Sequence, residues 1–271
     1  MKIVKKIMII GTVLIIGIGV CGCGMKKNNS NESKNITLKN KSELVLNERQ
    51  KEILEEVGLP TDAEELDSSQ QEAIIAIDEM LTEIEKKYNT SFSYAGYIAP
   101  GPLEHEQLTA YPTEGSSVDR FTVTRVKKNG EYVYEDGYVN IVIEPVFEEC
   151  VLKYCEGELG TGSVKVYSII TRIKDEDSII ANIKNGVVPL KEEDIDFNIS
   201  GDSCIFIDGE KVTEETYDTF LTGYKNWMVE HGIDESSQFI LLKEGNIENV
   251  TEYNYTDYLS TEYYLRRDFR N

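Results

Sequence analysis

The sequence predicts an α+β protein, with helices packed on mostly antiparallel sheet. Three observations carry this. Apolar residues recur at helical spacing behind recognisable N-terminal caps. β-Branched and aromatic runs alternate with these stretches. Several of the runs are joined by hairpin signals, which do not supply the crossovers that a parallel sheet needs.

The first element begins at Asn47, a capping residue with Gln50 three positions on, followed by a stripe of Ile53, Leu54 and Val57. Gly58 and Leu59-Pro60 end it. A longer helix is expected from Ser69, with Glu72 completing a capping box, and Ile74, Ile77, Leu81 and Ile84 on one face up to Lys86-Lys87. A strand follows over Phe92–Ile98, broken by Pro100-Gly101-Pro102. Phe121–Val126 and Tyr132–Tyr134 flank Asn129-Gly130, a pair that accepts positive φ and therefore marks a hairpin. Ile143, Phe147, Cys150, Val151 and Tyr154 then recur at helical spacing. Pro145 suits a first helical turn, which makes Tyr138–Ile143 an extended lead-in. Val164–Ile173 reads as strand, and Asp177–Lys184 as a short helix stopped by Gly186.

The last third repeats the plan. Phe197–Ile199 and Cys204–Ile207 surround Gly201-Asp202 as a second hairpin. Thr213 opens a helix that turns Tyr217, Phe220, Leu221, Tyr224, Trp227 and Met228 inward and closes at His231-Gly232, before a strand at Phe239–Leu242. Hairpin, helix and strand thus occur twice, which suggests two similar lobes over 47–185 and 186–271, although no residue-level identity links them. At the C-terminus, Tyr258, Leu259, Tyr263 and Arg266 would share one helix face. Aromatic and Arg enrichment is typical of binding surfaces, so Tyr258, Tyr263 and Arg266 are candidate contacts for an envelope protein or a saccharide. The alternative is that these rings pack on the sheet.

Ahead of the body lies a segment of another kind. Lys2, Lys5 and Lys6 precede an apolar run from Ile7 to Val20, the pattern of an export signal. The run ends in Val20-Cys21-Gly22-Cys23 and turns polar at once. Over these residues the chain resembles a bacterial lipoprotein signal peptide. Such a lipobox has an aliphatic residue three before the modified cysteine and a small residue just before it. Val20 and Gly22 meet both conditions for Cys23, whereas Cys21 would follow Val20 directly. The resemblance implies that residues 1–22 are removed, that the Cys23 thiol carries diacylglycerol, and that the body faces outward from a cell membrane. Two or more acyl chains hold stably where one is marginal. The competing reading is an uncleaved span, but Ile7–Cys23 is short for a bilayer and contains Gly11, Gly17, Gly19 and Gly22. Residues 23–46 form the lipidated cysteine and a polar tether whose last twenty or so residues reach roughly 25 Å. The body is similar in general style to uncharacterised lipoproteins of Gram-positive bacteria, without a motif that carries the likeness.

The 271 residues hold 49 acidic and 28 basic side chains, a net charge of −21. The signal segment contributes three lysines and no acid, so the remainder stands at −24. No basic stripe for nucleic acid is visible, and adhesion to anionic lipid needs an anchor. No cofactor or metal is expected. Beyond Cys21 and Cys23, three cysteines remain, Cys150, Cys155 and Cys204, an odd set that reads as small apolar residues, with a Cys204 bridge as the alternative. Gly201-Asp202-Ser203-Cys204 is similar to the surroundings of a hydrolase serine, but neither His105, between two glutamates, nor His231, at a helix end, is placed as its base. Asp194, Asp196 and Asn198 alternate like the start of a calcium loop, yet Ile205 stands where the bidentate glutamate belongs, leaving only an irregular site at Glu192–Asp196 open. Paired carboxylates are uninformative among 49 acids. The expectation is a non-catalytic binding or accessory module of the cell envelope. A tethered hydrolase and a solute-binding receptor, which would need repeated βαβ units in two lobes, are the alternatives.

Overall fold

The computed structural model describes residues 44–194, 198–210, 212–242, 247–259 and 265–270. Among these residues, two four-stranded sheets and five α-helices make an α+β architecture. The first sheet is an antiparallel meander of β1 (Phe92–Ile98), β2 (Glu106–Pro112), β3 (Phe121–Lys128) and β4 (Glu131–Asp136), in that order. One face carries Phe92, Tyr94, Leu108, Ala110, Phe121 and Val123, all buried. Against it packs α2 (Ser68–Tyr88), which buries Ile74, Ile77, Leu81 and Ile84, and α1 (Glu48–Glu56) lies on α2.

Several local expectations hold. Asn47 and Gln50 form the capping box of α1, with the Gln50 N–H donating to Asn47 Oδ1 at 2.8 Å. Asn129 (φ 54°) and Gly130 (φ 93°) make the hairpin turn. The cap of α2 lies two residues earlier than expected, at Asp67, because Gln70 rather than Glu72 reaches back to the cap backbone. Strand β2 was not foreseen.

Helix α3 (Tyr138–Leu159) corrects the extended lead-in, for Pro145 sits inside it. One missing N–H is tolerated because the first turn is pinned from outside. Tyr138 donates its N–H to Asp136 Oδ1 at 3.1 Å. Its ring meets Tyr88 and Phe92, both at 4.8 Å, and Phe121 at 5.2 Å.

The second sheet takes β5 (Val164–Ile173), β6 (Ile199–Asp208), β7 (Asp234–Leu242) and β8 (Leu265–Arg270) in that order. The hairpin expected around Gly201-Asp202 is instead the middle of β6, while Phe197 lies outside the described residues. Glycine is needed there for close approach: a Cβ on Gly201 would stand 2.5 Å from Ile169 O, beside the β5–β6 register shift. From β6, α5 (Glu214–Glu230) leads to β7, which runs parallel to β6, so the second lobe is strand–helix–strand rather than hairpin–helix–strand. That step is the one parallel pairing among the described strands. β5, on the 47–185 side of the expected division, pairs with β6 on the other, and one hydrophobic cluster extends from Leu46 to Leu241.

Helix α4 (Glu176–Lys184) joins the two parts, burying Ile179 and Ile183 beside α2 and α3. On the face of the second sheet away from α5, Phe206, Ile240 and Leu242 form a smaller core with Ile247 and Val250.

Candidate functional site

Two places combine exposure with chemistry, and the first lies where α3 runs along β5, an edge strand. An uncovered edge presents unpaired N–H groups. Glu144 and Glu148, one turn apart on α3, reach across to two of them. Glu148 Oε1 accepts from the Ser168 N–H at 2.6 Å, and Glu144 Oε1 from the Ile170 N–H at 3.0 Å. Burial pushes the Glu148 carboxyl up to about 7; the Ser168 bond opposes this, while Glu144 and Glu252 add to it. Burial also raises Glu144, against the Ile170 bond and with help from Asp119.

Beside these acids, Tyr167 and Tyr255 stack with centroids 4.8 Å apart and planes 10° apart. Tyr167 donates its hydroxyl to Val250 O at 3.3 Å, and Lys165 Nζ donates to the same oxygen at 2.6 Å. A carboxyl poised near neutrality beside aromatic rings has the makings of a general acid. The same bonds close a strand edge, so the pair has a structural role of its own. The i, i+4 spacing of Glu144 and Glu148 was visible in sequence; their convergence on β5 was not.

The second place is the face of the first sheet turned away from α2. Here Gln107, Thr109, Thr122 and Thr124 form a polar patch, extended by Ser93 and Thr113, whose hydroxyls lie 3.0 Å apart, with Glu135 in register beside Thr124. Thr122 is exposed, and Thr109 and Thr124 are half-buried. On the α2 side the sheet is closed by Arg125, which bonds Glu106 at 2.6 and 2.9 Å and Glu79 at 2.6 Å. Burial by itself would lower the Arg125 pKa, but the bonds and charge of Glu106 raise it well above its ordinary value.

Val20, Cys21, Gly22 and Cys23, the residues expected to form a lipobox, lie outside the described residues, as does Tyr263. Tyr258 sits in a 3-10 turn over Tyr255–Leu259 and packs on the smaller core, its ring 6.3 Å from Phe206. Arg266 belongs to β8, in register with Ile240, so the helix face expected for Tyr258 and Arg266 does not form. Residues 265–270 extend because β7 offers them a strand edge.

Among the described residues, Cys150, Cys155 and Cys204 form no disulfide. Ser203 is buried, and its hydroxyl lies 2.6 Å from that of Ser168, which fixes it in the sheet interior. His231 holds Nδ1 2.7 Å from Trp227 O at the end of α5. Glu192–Asp194 forms a 3-10 turn and Asp196 lies outside the described residues. Among the described residues no group of three His, Cys, Asp or Glu side chains is placed to hold a metal, and no helix is long and apolar enough to cross a membrane.

No protein-family profile matches the chain, and no curated protein does. Among solved structures, a DUF5037 family protein from Ruminococcus gnavus is similar at 12% identity, with 64% of this chain and 78% of that one covered and a TM-score of 0.36. A likeness this loose carries no argument about function.

Proposed function

We propose that this chain is a lipoprotein held by acylated Cys23 at the outer face of a bacterial cell membrane, its body serving as a binding module. The anchor rests on one observation: Val20-Cys21-Gly22-Cys23 closes an apolar export segment and is followed at once by polar chain. The binding role draws support from the open, threonine-rich patch of β2 and β3 on the face of the first sheet turned away from α2, which is bordered by the exposed Lys128–Glu135 pair. Cys23→Ala tests the anchor. The variant is expected to leave the membrane fraction and to lose metabolic palmitate labelling; unaltered fractionation and labelling would refute it. For the binding role, pulldown from membranes with the intact lipidated chain should recover a partner that Thr109→Arg with Thr122→Arg no longer holds. Equal recovery by both chains argues against the sheet face.

A second reading, a tethered hydrolase, has the Glu148 carboxyl in its favour. Turnover of cell-wall glycan by the purified chain, abolished in Glu148→Gln, would establish it, and no turnover by the parent chain would retire it.

A further inference from the structure

Leu103 and Val45, the two most exposed large apolar side chains among the described residues, lie toward one end of the first sheet. α2 and β1 run antiparallel through the short connection at residues 89–91, so the first turns of α2 lie beside the far end of β1. The ion pair of Arg125 with Glu79 at 2.6 Å marks this alignment. Gln71 ties the first turn of α2 to the segment before it, donating Nε2 to Ala63 O at 2.7 Å. Leu44, Val45 and Leu46 border an open hollow of about 940 Å³ together with Ala63, Leu66 and Gln71. Asn47 bonds Asp78 midway along α2 at 2.7 Å, and Leu44–Leu46 border the hollow beside Gln71, so the described chain begins on the half of α2 nearer this end.

The meander places the β1–β2 loop and the β3–β4 turn at the same end. Leu103 in that loop is 98% exposed and Ile98 before it 49%. At the turn Tyr132 is 48% exposed and Val133 37%, and Val45 beside the hollow is 84% exposed. Lys127 and Lys128 flank them, Lys127 over the Tyr132 ring at 5.6 Å and Lys128 paired with Glu135 at 2.8 Å. The joint to the second sheet, where Lys87 meets Asp136 and Glu176, is built at the opposite end of α2.

We propose that this end of the first sheet rests on the phospholipid surface, with Leu103, Ile98, Tyr132 and Val133 entering the headgroup layer and the second sheet held away from it. This rests on the anchor reading above. A short tether keeps the body at an effective concentration of order millimolar, so a contact too weak to bind membranes alone is occupied. Apolar tips bury in the interface while lysine stems reach lipid phosphates. Asp62, Glu64, Glu104 and Glu131 at the same end limit the depth, because their carboxylates stay in water.

The full chain, isolated from a bacterial membrane and reconstituted in vesicles of phosphatidylcholine with phosphatidylglycerol, tests this. A fluorophore is attached through Leu103→Cys or, at the other end of the sheet, through Ser117→Cys, each with Cys204→Ser. Nitroxide-bearing lipids are expected to quench the probe at 103 about threefold more than that at 117, and Lys127→Glu with Lys128→Glu to narrow the difference. Vesicles that float with the chain while both probes are quenched alike overturn the orientation and leave the anchor standing. A probe at 103 shielded from aqueous iodide but untouched by lipid quenchers points to a second copy of the chain and also overturns it. A chain that does not float with vesicles overturns the anchor and this proposal together.

Discussion

Tyr88 donates its hydroxyl to Asp136 Oδ1 at 2.7 Å, joining the last residue of α2 to the last residue of β4. The Asp136 side chain is fully buried and also takes Lys87 Nζ at 2.8 Å and the Tyr138 N–H at 3.1 Å. Burial, together with the Asp136 charge and hydrogen bond, holds the Tyr88 phenol well above its ordinary range. One carboxylate thus fastens a helix end, a strand end and the start of α3. Asp136→Ala is expected to lower the unfolding free energy in urea by about 3 kcal/mol, since it strands three donors, and Tyr88→Phe by about 1 kcal/mol. Equal effects of the two variants would show that Lys87 and Tyr138 do not depend on Asp136.

Two glycines should respond in opposite senses. Gly201→Ala drives a methyl toward Ile169 O and is expected to cost about 2 kcal/mol. Gly157, exposed within α3, has nothing within 4 Å of the added Cβ, so Gly157→Ala should stabilise by about 0.5 kcal/mol. Thermal melts of the pair check both signs.

Glu148 makes stability fall as pH rises. Its folded pKa, about 7, lies above the ordinary 4.5, so the folded state holds the extra proton between those values. The favourable contribution is complete below about pH 4.5 and is lost as pH rises through 7. Glu148→Gln, which keeps the acceptor for the Ser168 N–H, should therefore stabilise the protein by about 2 kcal/mol at pH 8, an advantage that vanishes near pH 4. Denaturation curves at the two pH values measure it. An advantage of equal size at both would trace to packing instead.

The C-terminal segment is structural where it is described. β8 completes the second sheet, and Tyr255 and Tyr258 pack on the core around Phe206 and Ile240. Removing residues 253–271 is expected to lower Tm by about 10 °C or more, and Tyr255→Ala, which also loses the stack on Tyr167, by a smaller amount. An unchanged Tm after truncation would return this segment to the role of a binding arm.

Features set by neighbouring residues were legible in the sequence. The reciprocal cap of Asn47 and Gln50, the Asn129-Gly130 turn, the span of β1 and the inward face of α5 all form as their residue patterns predict. These depend on side chain to backbone bonds within a few residues, or on which face of a periodic element is apolar. Features set by a distant partner were not legible. Helix α3 starts at Tyr138, ahead of Pro145, because its first turn is held by a cluster of four aromatic rings and by Asp136.

For the candidate sites the division is the same. The proposed lipobox at Cys23 is a linear pattern, read by position along the chain and needing no fold. Glu144 and Glu148 became distinguishable from 47 other acids only when α3 lay against β5, because desolvation and an unpaired strand edge belong to tertiary structure. Likewise Leu-Arg-Arg-Asp-Phe-Arg over 265–270 is a strand because the β7 edge supplies its hydrogen bonds, and β7 runs parallel to β6 because α5 carries the chain back across the sheet. Sequence by itself determined the acidity, the locally capped elements and the linear pattern on which the proposed anchor rests. Pairing direction, sheet membership and the environment of each carboxylate were decided in three dimensions, where hydrogen bonds and dehydration act between residues far apart in the chain.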